Sequence, residues 1–332
     1  MNQEMEYRQV GNSGLTVSTV GLGCNNLGRT GTFTENQKGT NDVVAAALEA
    51  GITLFDVADI YGKDPGLSEI MFGQALNSLG SAARDQVVLV SKFGMDMQGA
   101  NGADYGARGS RRYIMRAVES SLKRLGADHI DLYFYHTPDH ITPVEETLSA
   151  LDALIEQGKI RYIGNSNHSG WQIAQAEYVA KELGNHRFIA AENHYNLLDR
   201  RAELEVLPAA RQFGLGVLPY FPLANGLLTG KYADGKVPHG SRLSHSKTEL
   251  LESTNFDQLR DFSNFCADQG ITEVQAAFSW LAQQQPVSSV IAGATTIEQV
   301  RANAQAVAVR FNENELERLN EIFPAPKKIA LF

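Results

Sequence analysis

Residues 132–164, LYFYHTPDHITPVEETLSALDALIEQGKIRYIG, decide the fold. They open on a short apolar run, 132–135, that reads as a buried strand. Thr142-Pro143-Val144-Glu145 then has the form of a capping box with proline at the first helical position, and Gly158 ends the helix. A second apolar run, 161–164, follows at once. Strand, helix, strand in this order implies parallel strands covered by helices.

The same rhythm extends in both directions. Short apolar runs bounded by turn residues fall at 19–22, 53–56, 87–91, 132–135, 161–164, 189–192, 216–220 and 289–292. Ser110 opens a helix closed at Gly126, and Ser169 opens one closed at Gly184. Thr272 caps 273–283, and Asn312, with Glu315 at the third position, caps a last helix. An open doubly wound sheet and a closed barrel both fit this alternation. Eight strand–helix units in 332 residues match the arithmetic of the (β/α)8 TIM barrel, as one domain over 1–332. Gly21-Leu22-Gly23 with Gly28 has the wrong spacing for a dinucleotide fingerprint, and no helix opens there. Long loops follow the third strand (94–109) and the seventh (221–255), on the face where barrels build active sites.

Composition narrows the class. With 43% hydrophobic and 20% charged residues the chain is globular rather than disordered, collagen-like or coiled-coil. A net charge of −9 argues against nucleic acid or an anionic membrane as the main partner. Two cysteines, Cys24 and Cys266, are too few for a disulfide framework and suit a reducing compartment. MNQEMEYRQV has no basic segment before an apolar one, and no apolar run approaches the roughly 20 residues of a membrane span. The expectation is a soluble cytoplasmic protein.

The strand ends carry the chemistry. The second ends in Asp56, closely followed by Tyr61; the third in Lys92; the fourth in His136; the fifth runs into Ser166-Asn167; the sixth ends in Glu192 and the seventh in Tyr220. Taken singly, each is an ordinary cap, solvated end or packing residue. Asp, Lys and His at three successive strand ends require a common explanation. A buried Lys92 needs a carboxylate, and Asp56 on the next strand is the obvious one. A tyrosine hydroxyl, with a pKa near 10, is a weak proton donor at neutral pH. A lysine ammonium at about 4 Å favours the phenolate by roughly 4 kcal/mol at an effective dielectric of 20, about three pKa units before desolvation. His136 can orient a substrate oxygen. Such a cluster protonates an oxygen as it gains negative charge, which is what carbonyl reduction requires.

At this point the chain resembles the aldo-keto reductases, over nearly its whole length. The resemblance rests on Gly51-Ile52-Thr53-Leu54-Phe55-Asp56-Val57-Ala58 with Tyr61-Gly62, Ser68-Glu69 and Gly73, and on Ser91-Lys92-Phe93-Gly94. It continues in Asp131-Leu132-Tyr133 with His136, Gly158-Lys159-Ile160-Arg161-Tyr162-Ile163-Gly164-Asn165-Ser166-Asn167, and Tyr195-Asn196-Leu197-Leu198. It closes with Tyr220-Phe221-Pro222-Leu223, Gly226-Leu227-Leu228-Thr229-Gly230-Lys231-Tyr232, and Ile291-Ala292-Gly293-Ala294-Thr295 with Glu298-Gln299 and Asn303. The Gly-Leu-Leu-Thr-Gly-Lys-Tyr stretch is similar to the bacterial branch near the potassium-channel β subunits.

The resemblance implies a single eight-stranded barrel binding a nicotinamide dinucleotide, usually NADPH, without a Rossmann domain. It implies a catalytic tetrad of Asp56, Tyr61, Lys92 and His136, with Tyr61 the proton donor and Lys92–Asp56 its tuning pair. Ser166 and Asn167 fall on the carboxamide-binding positions, and Tyr220 on the ring stacked against nicotinamide. Phe221, Pro222, Leu223, Asn225 and Lys231 fall on the pyrophosphate loop, and Gly293, Thr295, Gln299 and Asn303 on the adenosine end. A capping box of Thr295 and Glu298 would open a helix whose free N–H groups take a 2′-phosphate, with Arg242 a loop-based alternative.

Departures from the family pattern are Asn165, His168, Val57, Ala302 and Glu192; the last stands where many relatives carry Gln to hold the carboxamide. A glutamate accepts from the amide, so ring orientation survives with a different tuning. His136 and His140 have metal-ligand spacing, but Pro138 between them argues against a helix face and against a metal. Asn167-His168-Ser169 is a sequon that is idle inside a cell, and Cys24 reads as a packed, inert thiol.

The leading reading is an NADPH-dependent reductase of a small aldehyde or ketone. A class I aldolase with Lys92 as Schiff-base residue and a cofactor-binding redox sensor with little turnover are the alternatives. The glycine-rich loop 94–109, with Tyr105 at its centre and Arg108, is expected to be loose and to close over substrate.

Overall fold

The computed structural model describes residues 4–233 and 249–327. Two short antiparallel strands come first, β1 (Tyr7–Gln9) and β2 (Thr16–Ser18), which carry no sequence signal strong enough to be expected. The eight expected runs then become β3 (Val20–Gly23), β4 (Leu54–Asp56), β5 (Val88–Phe93), β6 (Ile130–Tyr135), β7 (Ile160–Ser166), β8 (Ala190–Glu192), β9 (Gly216–Val217) and β10 (Val290–Gly293). All eight are parallel and follow chain order, with β10 beside β3. Past its two-residue core, the seventh run still continues the wall: the Leu218 and Tyr220 N–H groups donate to Ala191 and Asn193 carbonyls. Val217 pairs in parallel with Val287, and the Ile291 N–H donates to the Pro219 carbonyl at 3.0 Å, so the two edges of the sheet meet. The chain is the expected (β/α)8 TIM barrel with helices outside.

The period of two along each strand sorts side chains between two cores. Leu54, Val90, Leu132, Phe134, Ala190, Leu218 and Ile291 pack together inside the barrel. Their neighbours Phe55, Leu89, Tyr133, Ala191 and Val217 point outward into the layer shared with the helices. Val10 and Val17, flanking and within the β1–β2 hairpin, belong to the inner cluster and plug its N-terminal end. Gly21 is glycine because a Cβ there would fall 2.6 Å from Leu54 and 2.7 Å from Ile291, two side chains that already fill the interior.

The helix punctuation holds at Ser110, whose side chain accepts from the Tyr113 N–H, and at Thr272 and Asn312, both with complete capping boxes. Two expectations need correction. Thr142 does not cap: Pro143 holds the N-cap position of Val144–Glu156, and the Thr142 hydroxyl donates to Asp139 at 2.7 Å. The final barrel helix, Ile297–Ala304, is capped by Thr296 rather than Thr295. Its third residue is thus Gln299, whose carboxamide oxygen accepts from the N–H and hydroxyl of Thr295.

Loop 94–109 is fastened to the barrel at several points. Met97 and Asn101 are buried, and Asn101 donates to Asp59 at 3.0 Å while accepting from Arg124 at 3.1 Å. Arg116 holds the Ala103 carbonyl, and Asp139 accepts from the Gly109 N–H. A polar side chain buried beneath the loop gives it a fastening that its glycine count conceals. Tyr105 is 85% exposed, and Arg108 is engaged by Asp104 and Asp96. No described helix is long and apolar enough to cross a membrane.

Candidate active site

The inward phase of each strand does not stop at the apolar core. After Leu54 the next inward residue is Asp56; after Val90 it is Lys92; after Ala190 it is Glu192; after Leu218 it is Tyr220. Each strand therefore ends by aiming a polar group at the barrel axis, at the C-terminal mouth. They meet in a cavity of about 790 Å³ lined by Asp56, Tyr61, His136, Asn167, Glu192 and Tyr220 at its centre.

Lys92 is fully buried. Its ammonium donates to the Asp56 carboxylate, to the Val57 carbonyl at 3.1 Å and to the Tyr61 hydroxyl at 3.4 Å. Glu192 Oε2 lies 3.4 Å from the same nitrogen. Burial works to lower the Lys92 pKa, but Asp56 and Glu192 together hold it above its usual value, so the lysine is charged. Tyr61 is half-buried, with its ring edge-on to His136 at 5.8 Å between centroids. Desolvation raises its phenol above the ordinary value; Lys92 works against this, while Asp56 and Glu192 add to it. The pull of Lys92 toward the phenolate is present as expected, but desolvation and two carboxylates outweigh one ammonium. His136 is kept well below its usual pKa by burial and by Lys92, and is neutral.

Ser166 is buried at the end of β7. Asn167, with φ +58°, donates to the His136 carbonyl at 3.0 Å and to Ser166 Oγ at 3.1 Å, and its oxygen accepts from the Tyr220 hydroxyl at 2.7 Å. The Tyr220 ring stacks on His194, 5.4 Å between centroids and 10° from parallel. His194 is paired in turn with Asp199 at 3.1 Å. His194 and Asp199 escaped the sequence reading; they lie after a strand end, and nothing in their spacing marks them.

From this centre the cavity runs past Phe221, Pro222, Leu223, Asn225 and Lys231 to Gly293, Thr295, Gln299 and Asn303. Phe221, Ala224 and Asn225 all have positive φ, a concentration of backbone strain of the kind found at ligand clamps. Gly226, at φ +101°, leaves room for the Lys231 ammonium, which a Cβ would approach to 3.1 Å. Asn25, Asn26 and Arg29 complete the wall and were not anticipated; Arg29 donates to Asn26 at 3.0 Å. At the far end, the first turn of Ile297–Ala304 is partly satisfied from within. Thr296 accepts from the Gln299 N–H, and the Glu298 carboxylate takes its own N–H. The Thr295–Glu298 box is therefore replaced by a Thr296 cap. Arg242 lies outside the described residues. The long groove, its strained polar wall and its cation at Lys231 fit an extended dinucleotide, which Asn167, Glu192, Tyr220, the 221–225 segment, Lys231 and Asn303 would hold, while Ser166 lies buried behind Asn167 and off the cavity wall.

Residues 19–323 match the family model described as the aldo/keto reductase family. The chain is 37% identical to the uncharacterized oxidoreductase YrpG of Bacillus subtilis (strain 168) over 325 residues, 97% of each chain. It is 33% identical to the L-glyceraldehyde 3-phosphate reductase of Escherichia coli (strain K12) over 328 residues, covering 96% of this chain and 92% of that one. A probable voltage-gated potassium channel subunit beta of Oryza sativa subsp. japonica is 36% identical over 316 residues, 92% of each. With the barrel, the polar strand ends and a family match over nearly its full length, the chain belongs to the aldo/keto reductase family of oxidoreductases.

Proposed function

We propose that the protein reduces an aldehyde or ketone to the alcohol by hydride transfer from NADPH, with Tyr61 as proton donor. The observation that carries this reading is the Tyr61 hydroxyl 3.4 Å from a buried, charged Lys92, at the wall of a cavity that also exposes His136. When bound, the dinucleotide supplies the hydride that reduces the carbonyl carbon. Neutral His136 donates one hydrogen bond and orients the carbonyl oxygen. Tyr61 gives its proton to that oxygen as negative charge gathers there. An alkoxide is more basic than a phenolate, so a phenol raised above its ordinary pKa is still an adequate acid, and it is fully loaded at rest. The phenolate left behind is stabilised by the Lys92 ammonium, whose gross attraction at this separation is roughly 5 kcal/mol at an effective dielectric of 20. Asp56 keeps that ammonium charged and in place.

NADPH rather than NADH is supported by the Lys231 cation on the groove wall and by the helix N-terminus at its far end. The relative that reduces L-glyceraldehyde 3-phosphate supports a small aldehyde as substrate. A Schiff-base role for Lys92 is disfavoured: the ammonium is charged, buried and occupied by three acceptors, where a nucleophile must be neutral and reachable. Oxidation of NADPH and of NADH followed with a panel of aldehydes, ketones and sugars tests the reading; turnover of no carbonyl with either would overturn it.

A further inference from the structure

The proton transfer from Tyr61 makes no direct use of the second carboxyl beside Lys92. Glu192 is the last inward residue of β8, is buried, lines the cavity and has no hydrogen-bond partner for Oε2 among the described residues. Its carboxyl lies 3.4 Å from Lys92 and within hydrogen-bond reach of the Asp56 carboxyl. Two carboxyl groups thus face one buried ammonium.

We propose that Asp56 and Glu192 share one proton, that Glu192 holds it at neutral pH, and that Glu192 is a positioning residue whose ionisation weakens proton donation by Tyr61. The inference rests on the reductase reading for its kinetic consequence, though not for the location of the proton.

Charge balance makes the argument. One ammonium neutralises one carboxylate, and a second buried carboxylate without its own counter-ion is strongly disfavoured, so it keeps its proton instead. Asp56 is in direct contact with the ammonium and keeps the charge; Glu192 stands farther off. Two carboxyl groups hydrogen-bond to each other only through a proton. The other titratable groups facing the pair offer no second cation. His136, after β6, is held neutral by burial and by Lys92. Burial keeps the Cys24 thiol, after β3, and the Tyr220 and Tyr61 phenols protonated. Burial and the Asp56 charge push Glu192 up to about 8. In its acid form Glu192 gives its O–H to Asp56 and keeps only acceptor capacity toward the cavity. When it ionises, Lys92 faces two negative charges, and Glu192 already counts among the groups that raise the Tyr61 phenol. The donor then becomes a weaker acid, and turnover falls on the alkaline side.

Infrared titration of the ligand-free full-length protein locates the proton, and the pH profile of kcat reads its effect. The wild type should show a buried carboxylic-acid carbonyl band at neutral pH that vanishes on titration above about pH 8, and Glu192→Gln should lack it. Asp56→Asn should also lack it, since Glu192 then becomes the only carboxylate at Lys92 and ionises. The alkaline limb of kcat should move up by about one pH unit in Glu192→Gln. A wild-type minus Glu192→Gln difference spectrum without such a band overturns the shared proton; a band common to both proteins belongs to another buried carboxyl such as Asp59. An alkaline limb unmoved in Glu192→Gln overturns the kinetic role. Absence of carbonyl reduction in the wild type would instead count against the reductase reading and leave the infrared result to decide where the proton lies.

Discussion

The Lys92 ammonium stands 3.4 Å from the Tyr61 hydroxyl, although 31 residues and a whole strand–helix unit separate them in the chain. The contact makes the two groups one functional unit. Tyr61→Phe removes the transferable proton and should lower kcat by about 10²–10⁴ while NADPH affinity stays within a few-fold. Lys92→Met should lose as much, and the double variant little more, because each acts through the other. Additive losses in stopped-flow measurements of NADPH oxidation would argue that they act separately.

Stability should carry the signature of Glu192. Its carboxyl rises from an ordinary 4.5 to about 8 in the folded protein, so between those values the folded state holds a proton the unfolded chain has released. The contribution is present below about pH 4.5 and is lost as pH rises toward 8. Glu192→Gln, which does not titrate, should therefore gain on the wild type as pH rises from 5 to 9, by about 2 °C in Tm for each kcal/mol. Parallel Tm-against-pH curves for the two proteins would contradict this.

Asn101 fastens the glycine-rich loop to Asp59, a fully buried carboxyl whose other oxygen has no partner among the described residues. Asn101→Ala would leave Asp59 with neither oxygen satisfied by a side chain. The expected loss is about 1–3 kcal/mol in urea unfolding. A change below a few tenths would mean that the loop is not held at this point.

The Tyr220 hydroxyl fixes the Asn167 amide at 2.7 Å, while His194 fixes the Tyr220 ring. Tyr220→Phe keeps the stack and frees the amide. Loss of one hydrogen bond worth about 0.5–1.5 kcal/mol should weaken NADPH about 2–10-fold in equilibrium titration. Unchanged affinity would remove Asn167 from the set of cofactor contacts.

A charged contact to the 2′-phosphate is worth about 1.5–3 kcal/mol. Arg242→Ala should accordingly weaken NADPH by about 10–100-fold and leave NADH nearly untouched. Equal losses for both cofactors would assign Arg242 a role unrelated to the phosphate.

The barrel and the identity of the groups at its mouth follow from chain order and local punctuation alone. Eight apolar runs alternating with capped helices admit few arrangements, and period and punctuation are local properties that survive in one dimension. Asp56, Lys92, His136, Glu192 and Tyr220 were legible because each ends an apolar run. Tertiary structure decided which of them touch and what charge they bear. The inward phase carries Glu192 onto Lys92 alongside Asp56, and desolvation raises the Tyr61 phenol that pairwise attraction to Lys92 alone would lower. The anchoring of Asn101 on Asp59 and the stacking of His194 beneath Tyr220 were likewise invisible, since neither partner is near the other in sequence. Composition reports how many polar groups a chain carries; burial and distance, which fix their protonation and their partners, exist only once the strands have closed into a barrel.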